Sequence, residues 1–121
     1  DDPEATPGDL EALARFRREA EICTRLQHPN IVRTYGLFQD GPLAFILMDF
    51  VEGNSLKRAI FNYGGPMPQQ QVLNVMRAVC AALHYAHKQG VVHCDIKSAN
   101  VMIHQNDSVL VTDFGIARMT D

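Results

Sequence analysis

The sequence predicts an α+β fold, and three patterns carry that expectation. Two long stretches repeat apolar residues at three- and four-residue steps. Two β-branched, aromatic runs flank a turn between those stretches, and a smaller pair of apolar runs lies near the end of the chain. At 121 residues, with 46% hydrophobic and 21% charged residues, there is material for one domain and little more.

The same composition excludes a disordered tail, a collagen-like repeat and an acidic solvating segment. Eleven Lys+Arg against fourteen Asp+Glu give a net charge of −3, the wrong sign for a general nucleic-acid or anionic-membrane binder. No apolar run approaches the roughly 18 residues that a membrane span needs. The start, Asp1-Asp2-Pro3-Glu4, does not resemble a signal peptide. Cys23, Cys80 and Cys94 are widely spaced and form no C-x-x-C. They point away from a disulfide framework or structural zinc, and toward a reducing, cytoplasmic setting for this part of a protein that could be membrane-anchored elsewhere.

Pro3, Pro7 and Gly8 mark residues 1–8 as a loop or a cut end, and Asp9 is the expected N-cap of the first helix. From Leu10 to Leu26, the residues Leu13, Phe16, Ala20, Cys23 and Leu26 form one apolar stripe. His28-Pro29-Asn30 ends it, because the residue before a proline is pushed out of the helical region. Ile31–Phe38 and Leu43–Val51 are rich in β-branched and aromatic residues, and Gln39-Asp40-Gly41-Pro42 between them signals a turn, so an antiparallel hairpin is expected. Gly53-Asn54 breaks the chain, and Ser55 is suited to cap a short helix to about Asn62. After the loop Gly64-Gly65-Pro66 and Pro68, a second long helix spans about Gln69 to Gln89, with Val72, Val75, Met76, Val79, Leu83 and Ala86 on one face and Gly90 as its stop. Short strands are expected at Val91-Val92, Val101–Ile103 and Val109–Val111, the last two joined by a turn at Gln105-Asn106-Asp107.

Two clusters carry chemistry: His93-Cys94-Asp95-Ile96-Lys97-Ser98-Ala99-Asn100, and Thr112-Asp113-Phe114-Gly115. The small hairpin between them would bring Asn100 and Asp113 to one end of a ribbon. There an amide oxygen and a carboxylate suit a hard divalent cation that takes its other ligands from phosphates and water. Asp95 and Lys97, two residues apart in an extended segment, would point the same way. A carboxylate so placed can accept a hydroxyl proton while the ammonium offsets charge on a transferring phosphoryl group. Each residue alone reads as an ordinary turn residue; the joint pattern H-x-D-x-K-x-x-N, hairpin, D-F-G is far more specific. Glu19 falls inside the apolar arc of the first helix, either at its wet edge near Arg15 or in need of a cationic partner from elsewhere. His84 and His87 stand three apart on a helix with no H-E-x-x-H arrangement, so no zinc site is expected. His93 is expected to be a core histidine that orients its loop, with His28 and His104 at turns.

From about Leu10 to Arg118 the chain resembles the eukaryotic-type protein kinases, most closely their bacterial Ser/Thr branch, through FRREAEICTRLQHPNIV and DFGIAR. The resemblance implies a partial protein-kinase-like fold in an incomplete domain. Residues 1–48 would be the end of the N-lobe, with its regulatory helix and antiparallel hairpin. Residues 49–53 would be the hinge, and 54–121 the first half of the helical C-lobe. It implies phosphoryl transfer from Mg-ATP to Ser/Thr hydroxyls of protein substrates. By motif position Asp95 is the catalytic base and Lys97 the catalytic-loop lysine, while Asn100 and Asp113 hold Mg²⁺. Met48 is the gatekeeper, the backbone of Asp49 and Val51 meets the adenine edge, and Met102 lies under the base. Glu19 pairs with a strand lysine that grips the phosphates.

The chain departs from the pattern in three ways. Its first lysine is Lys57, it has no G-x-G-x-x-G, and Cys94 stands where most such kinases carry an arginine that pairs with an activation-loop phosphate. The expected reading is therefore the middle of a kinase domain, with further portions on both sides and weak or no activity alone. Activity that does not depend on that phosphate is also expected. A kinase-like interaction module without turnover and a small-molecule phosphotransferase remain the alternatives. With neighbouring strands and helices missing, the isolated piece should be marginally stable.

Overall fold

In the computed structural model, residues 7–93 and 96–113 are described, except for the side chain of Glu19. The first helix, α1, spans Pro7–Cys23. It begins before Asp9, with Pro7 in the first turn, where its missing N–H costs nothing. It also ends earlier than the apolar stripe suggests. Thr24, Arg25 and Leu26 close a tightened final turn by donating to the carbonyls of Glu21, Ile22 and Cys23. Leu26 leaves the helix but stays in the core, fully buried at 1% exposure.

Strands β1 (Thr34–Asp40) and β2 (Leu43–Met48) form the expected antiparallel hairpin, with Asp40 opposite Leu43 across a two-residue loop. Gly41 opens that loop at φ +60°, a conformation that disfavours any Cβ-bearing residue. The pairing is shorter than the apolar runs, because Ile31 and Val32 go elsewhere. Ile31 bridges Val111 in parallel, Val32 N–H donates to Val111 O, and Val111 N–H donates to Asn30 O.

A second sheet has the order β3-β4-β5, formed by Gly53–Ser55, Val101–His104 and Val109–Val111, all antiparallel neighbours. Strand β3 corrects the sequence expectation of a simple break at Gly53-Asn54. Glycine is needed there because a Cβ at Gly53 would collide with the carbonyl oxygen of Ile103 on the adjoining strand. Ser55 then caps α2 (Leu56–Tyr63) by accepting from Arg58 N–H at 3.1 Å, and Gly64 ends the helix at φ +75°. No strand forms at Val91-Val92; Val91 N–H instead folds back onto Ala86 O at the end of the next helix.

Helix α3 (Gln69–Lys88) runs close to its expected bounds, but its buried face is rotated. Val75, Val79, Ala82 and Ala86 are buried, Leu83 is half-buried, and Val72 and Met76 are exposed. The helix carries apolar residues on several faces, so periodicity alone cannot choose the one that packs against β5. That choice is made by the core, in which Cys23, Leu26 and Ile31 join the α3 face, Val91, and Val101, Val109 and Val111 of the ribbon. Truncating Leu26 or Val111, the largest fully buried side chains, would lose both transfer energy and packing.

Candidate active site

The ribbon β4–β5 brings the two polar clusters together. Before it, Ser98–Asn100 form a single 3₁₀ turn, closed by Asn100 N–H to Lys97 O at 2.9 Å. Asn100 is buried at 8% exposure, a position that a polar amide occupies only with partners. Just past β5, the N–H of Thr112 donates to the carbonyl oxygen of Asn100 at 2.9 Å, so Asp113 follows directly beside the turn. Asp113 is half-buried and holds φ +63°, a left-handed conformation that Asp tolerates better than most residues and that is often found at functional sites.

His93 fastens the same strand end from the other side. It is buried at 7% exposure, and its Nε2 lies 2.8 Å from Thr112 O. A carbonyl only accepts, so Nε2–H donates and this histidine holds the start of the first cluster against the start of the second. The expected roles of His28 and His104 also hold: each Nδ1 accepts a backbone N–H, from Asn30 and Asn106 respectively. Lys97 is exposed at the mouth of this loop.

The third side comes from the hairpin. Thr112 Oγ1 donates to Met48 Sδ at 3.7 Å, which seats the end of β2 on the residue before Asp113. Beyond Met48 the chain runs through exposed Asp49 and half-buried Val51 into β3. Met102, half-buried on β4, pairs with Ser55 on one side and Leu110 on the other. Asp49 N–H is already committed to Arg33 O at 2.9 Å, so its carbonyl is the backbone group it can offer to a ligand.

The structure thus brings Met48, Asn100 and the Thr112-Asp113 step to one place, with Lys97 just before the 3₁₀ turn and Met102 on β4. Cys94, Asp95, Phe114 and Gly115 lie outside the described residues, as does the side chain of Glu19, whose helix packs on β1. Nothing in the sequence singles out Thr112 for three contacts, although a hydroxyl directly before an aspartate at a strand end is a usable signal. Asn30 was equally inconspicuous: its Nδ2 donates to Val109 O at 2.9 Å, pinning the His28-Pro29-Asn30 turn to β5. No group of three or more His, Cys, Asp or Glu suited to a metal occurs among the described residues.

A model of the protein kinase domain matches residues 4–121. This chain belongs to the protein kinase family. It is 44% identical over 108 residues to the serine/threonine-protein kinase PknB of Mycobacterium leprae, covering 86% of this chain and 17% of that protein. It is 42% identical over 109 residues to PrkC of Bacillus subtilis, covering 90% of the chain and again 17% of the relative. Among solved structures, the kinase domain of Mycobacterium tuberculosis PknI matches with a TM-score of 0.79 and 35% identity, over 89% of this chain and 43% of that one. A variant of the same domain matches with a TM-score of 0.82. The fold is accordingly a partial protein-kinase fold of α+β class, and the chain spans less than half of the kinase domains it superimposes on. None of the described helices of this kinase segment is long and apolar enough to cross a membrane.

Proposed function

We propose that this chain is the central part of a Ser/Thr protein kinase domain, transferring the terminal phosphoryl group of ATP to protein hydroxyls. The single observation that carries the reading is the Thr112 N–H to Asn100 O bond, because it sets an amide residue and a carboxylate residue at the same end of one ribbon. That donor set fits a hard divalent cation. Mg²⁺ bound there with the nucleotide would offset phosphate charge.

The chain's own residues then divide the work. Asn100 and Asp113 would hold the cation, and the buried His93–Thr112 contact keeps the two segments from drifting apart. Asp95 accepts the proton of the attacking hydroxyl, and Lys97 balances charge on the group in flight. Met48 and Met102 would supply apolar walls for the base, and the carbonyl of Asp49 with the backbone of Val51 would receive its edge. Glu19 orients a lysine from a part of the domain outside this chain. In this division residues 1–48 belong to the N-lobe, 49–53 to the hinge and 54–121 to the C-lobe.

In the intact kinase, Asp95→Asn is expected to lower phosphoryl transfer by about 10²–10⁴-fold while leaving Mg-ATP affinity nearly unchanged. Equal turnover by the two proteins would remove Asp95 from the mechanism.

A further inference from the structure

Beside the proposed nucleotide site lies a polar contact that the reaction does not use. Tyr35 Oη donates to Asp49 Oδ1 at 2.5 Å, and Arg33 sits with its guanidinium carbon 5.7 Å from the centre of the Tyr35 ring. The backbone of the same two segments is joined by Asp49 N–H to Arg33 O. Tyr35 reaches Asp49 because the hairpin is irregular at this point. Thr34 faces Met48 and Gly36 faces Leu47, so Tyr35 is the extra residue of a β-bulge. Bulges re-aim a side chain, and this one is followed by Gly36 at φ +151°.

We propose that Tyr35 is a positioning residue for the nucleotide: its hydroxyl latches Asp49, the first residue after β2, and so holds the segment whose backbone receives the adenine edge. This rests on the nucleotide reading above and deepens it. Asp49 is exposed, and the segment after it has no strand partner until Gly53. Two bonds, one from each end of Asp49's reach, therefore set its placement: the Arg33 carbonyl fixes the backbone and the Tyr35 hydroxyl fixes the side chain. The Arg33 cation over the ring holds the tyrosine in the pose that makes the bond. The hydrogen bond also holds the phenol in its protonated, donating form, since its pKa is raised chiefly by the bond to Asp49.

The test uses the intact kinase with Mg-ATP and a peptide substrate. Tyr35→Phe removes only the hydroxyl, so KM for ATP should rise about three- to tenfold, the worth of one charge-assisted hydrogen bond in organising the site. Turnover at saturating ATP and KM for the peptide should stay within about twofold. Asp49→Ala should raise KM for ATP similarly, and the double variant should be no worse than either single one, because both delete the same bond. An unchanged KM for ATP in Tyr35→Phe, a loss confined to turnover, or additive effects in the double variant would overturn the latch while leaving the nucleotide site standing. Failure of the unaltered kinase to bind Mg-ATP would overturn both.

Discussion

Thr112 donates its backbone N–H to the carbonyl oxygen of Asn100 and accepts from the buried imidazole of His93 on its own carbonyl. One residue thereby couples the loop before the ribbon to the segment after it, and its side chain reaches on to Met48 at the end of the hairpin. Much of the candidate site's geometry passes through this position.

Replacing His93 tests that coupling. His93→Ala deletes a buried donor and leaves Thr112 O without it, which costs about 1–3 kcal/mol. Chemical denaturation of the intact kinase should show a lowered midpoint, and turnover should fall more than the stability loss alone explains. A variant with both properties unchanged would make the contact incidental.

Gly53 marks a place where backbone approaches backbone. Gly53→Ala would drive a methyl group into Ile103 O, and the strand can yield only by breaking its pairing with His104. The expected cost is about 1–3 kcal/mol, read as a reduced thermal midpoint. Ala at Gly65, where an added Cβ meets nothing within 4 Å, should be tolerated and serves as the control.

Tyr35 should titrate late. Its pKa is raised above the ordinary tyrosine value of 10.0, first by the hydrogen bond to Asp49, then by desolvation and the Asp49 charge, with Arg33 opposing. A raised folded pKa means that the folded state holds the proton more tightly. The stability from this bond is therefore fully present below about pH 10, and it is lost as pH rises through the folded value. Ultraviolet titration of the phenolate band in folded protein should show a late component that Tyr35→Phe removes.

On its own, the 121-residue chain should be weakly cooperative. Phe50 and Phe61 are 86% and 83% exposed, and Leu43, Leu47, Phe45 and Met76 are also uncovered. A broad melt and binding of a hydrophobic dye are expected. A sharp two-state transition in a monomer would contradict this.

Features set by local chemistry were legible in the sequence. The hairpin, the Ser55 cap and the final ribbon each rest on local chemistry: a glycine turn, a side-chain oxygen or runs of β-branched residues. Features settled by distant partners were not visible. Val72 and Met76 fall on the same apolar stripe as Val79, yet only the approach of β5 decides which side of α3 is buried. Ile31 and Val32 look like the start of the hairpin, but Val111 captures them. Gly53-Asn54 has poor strand propensity and becomes a strand because β4 offers an edge. For the site, the order of Asn100, Asp113 and the ribbon was readable from spacing; the Thr112 contacts and the Tyr35 bulge were not, since each depends on register across strands.

The central claim is that Asn100 and Asp113 face one magnesium-nucleotide pocket, and calorimetric titration of ATP into the intact kinase with and without Mg²⁺ tests it most directly. The unaltered protein should bind ATP much more tightly with Mg²⁺, and Asp113→Asn should lose most of that magnesium-dependent gain. Undiminished Mg²⁺ dependence in Asp113→Asn would contradict the account.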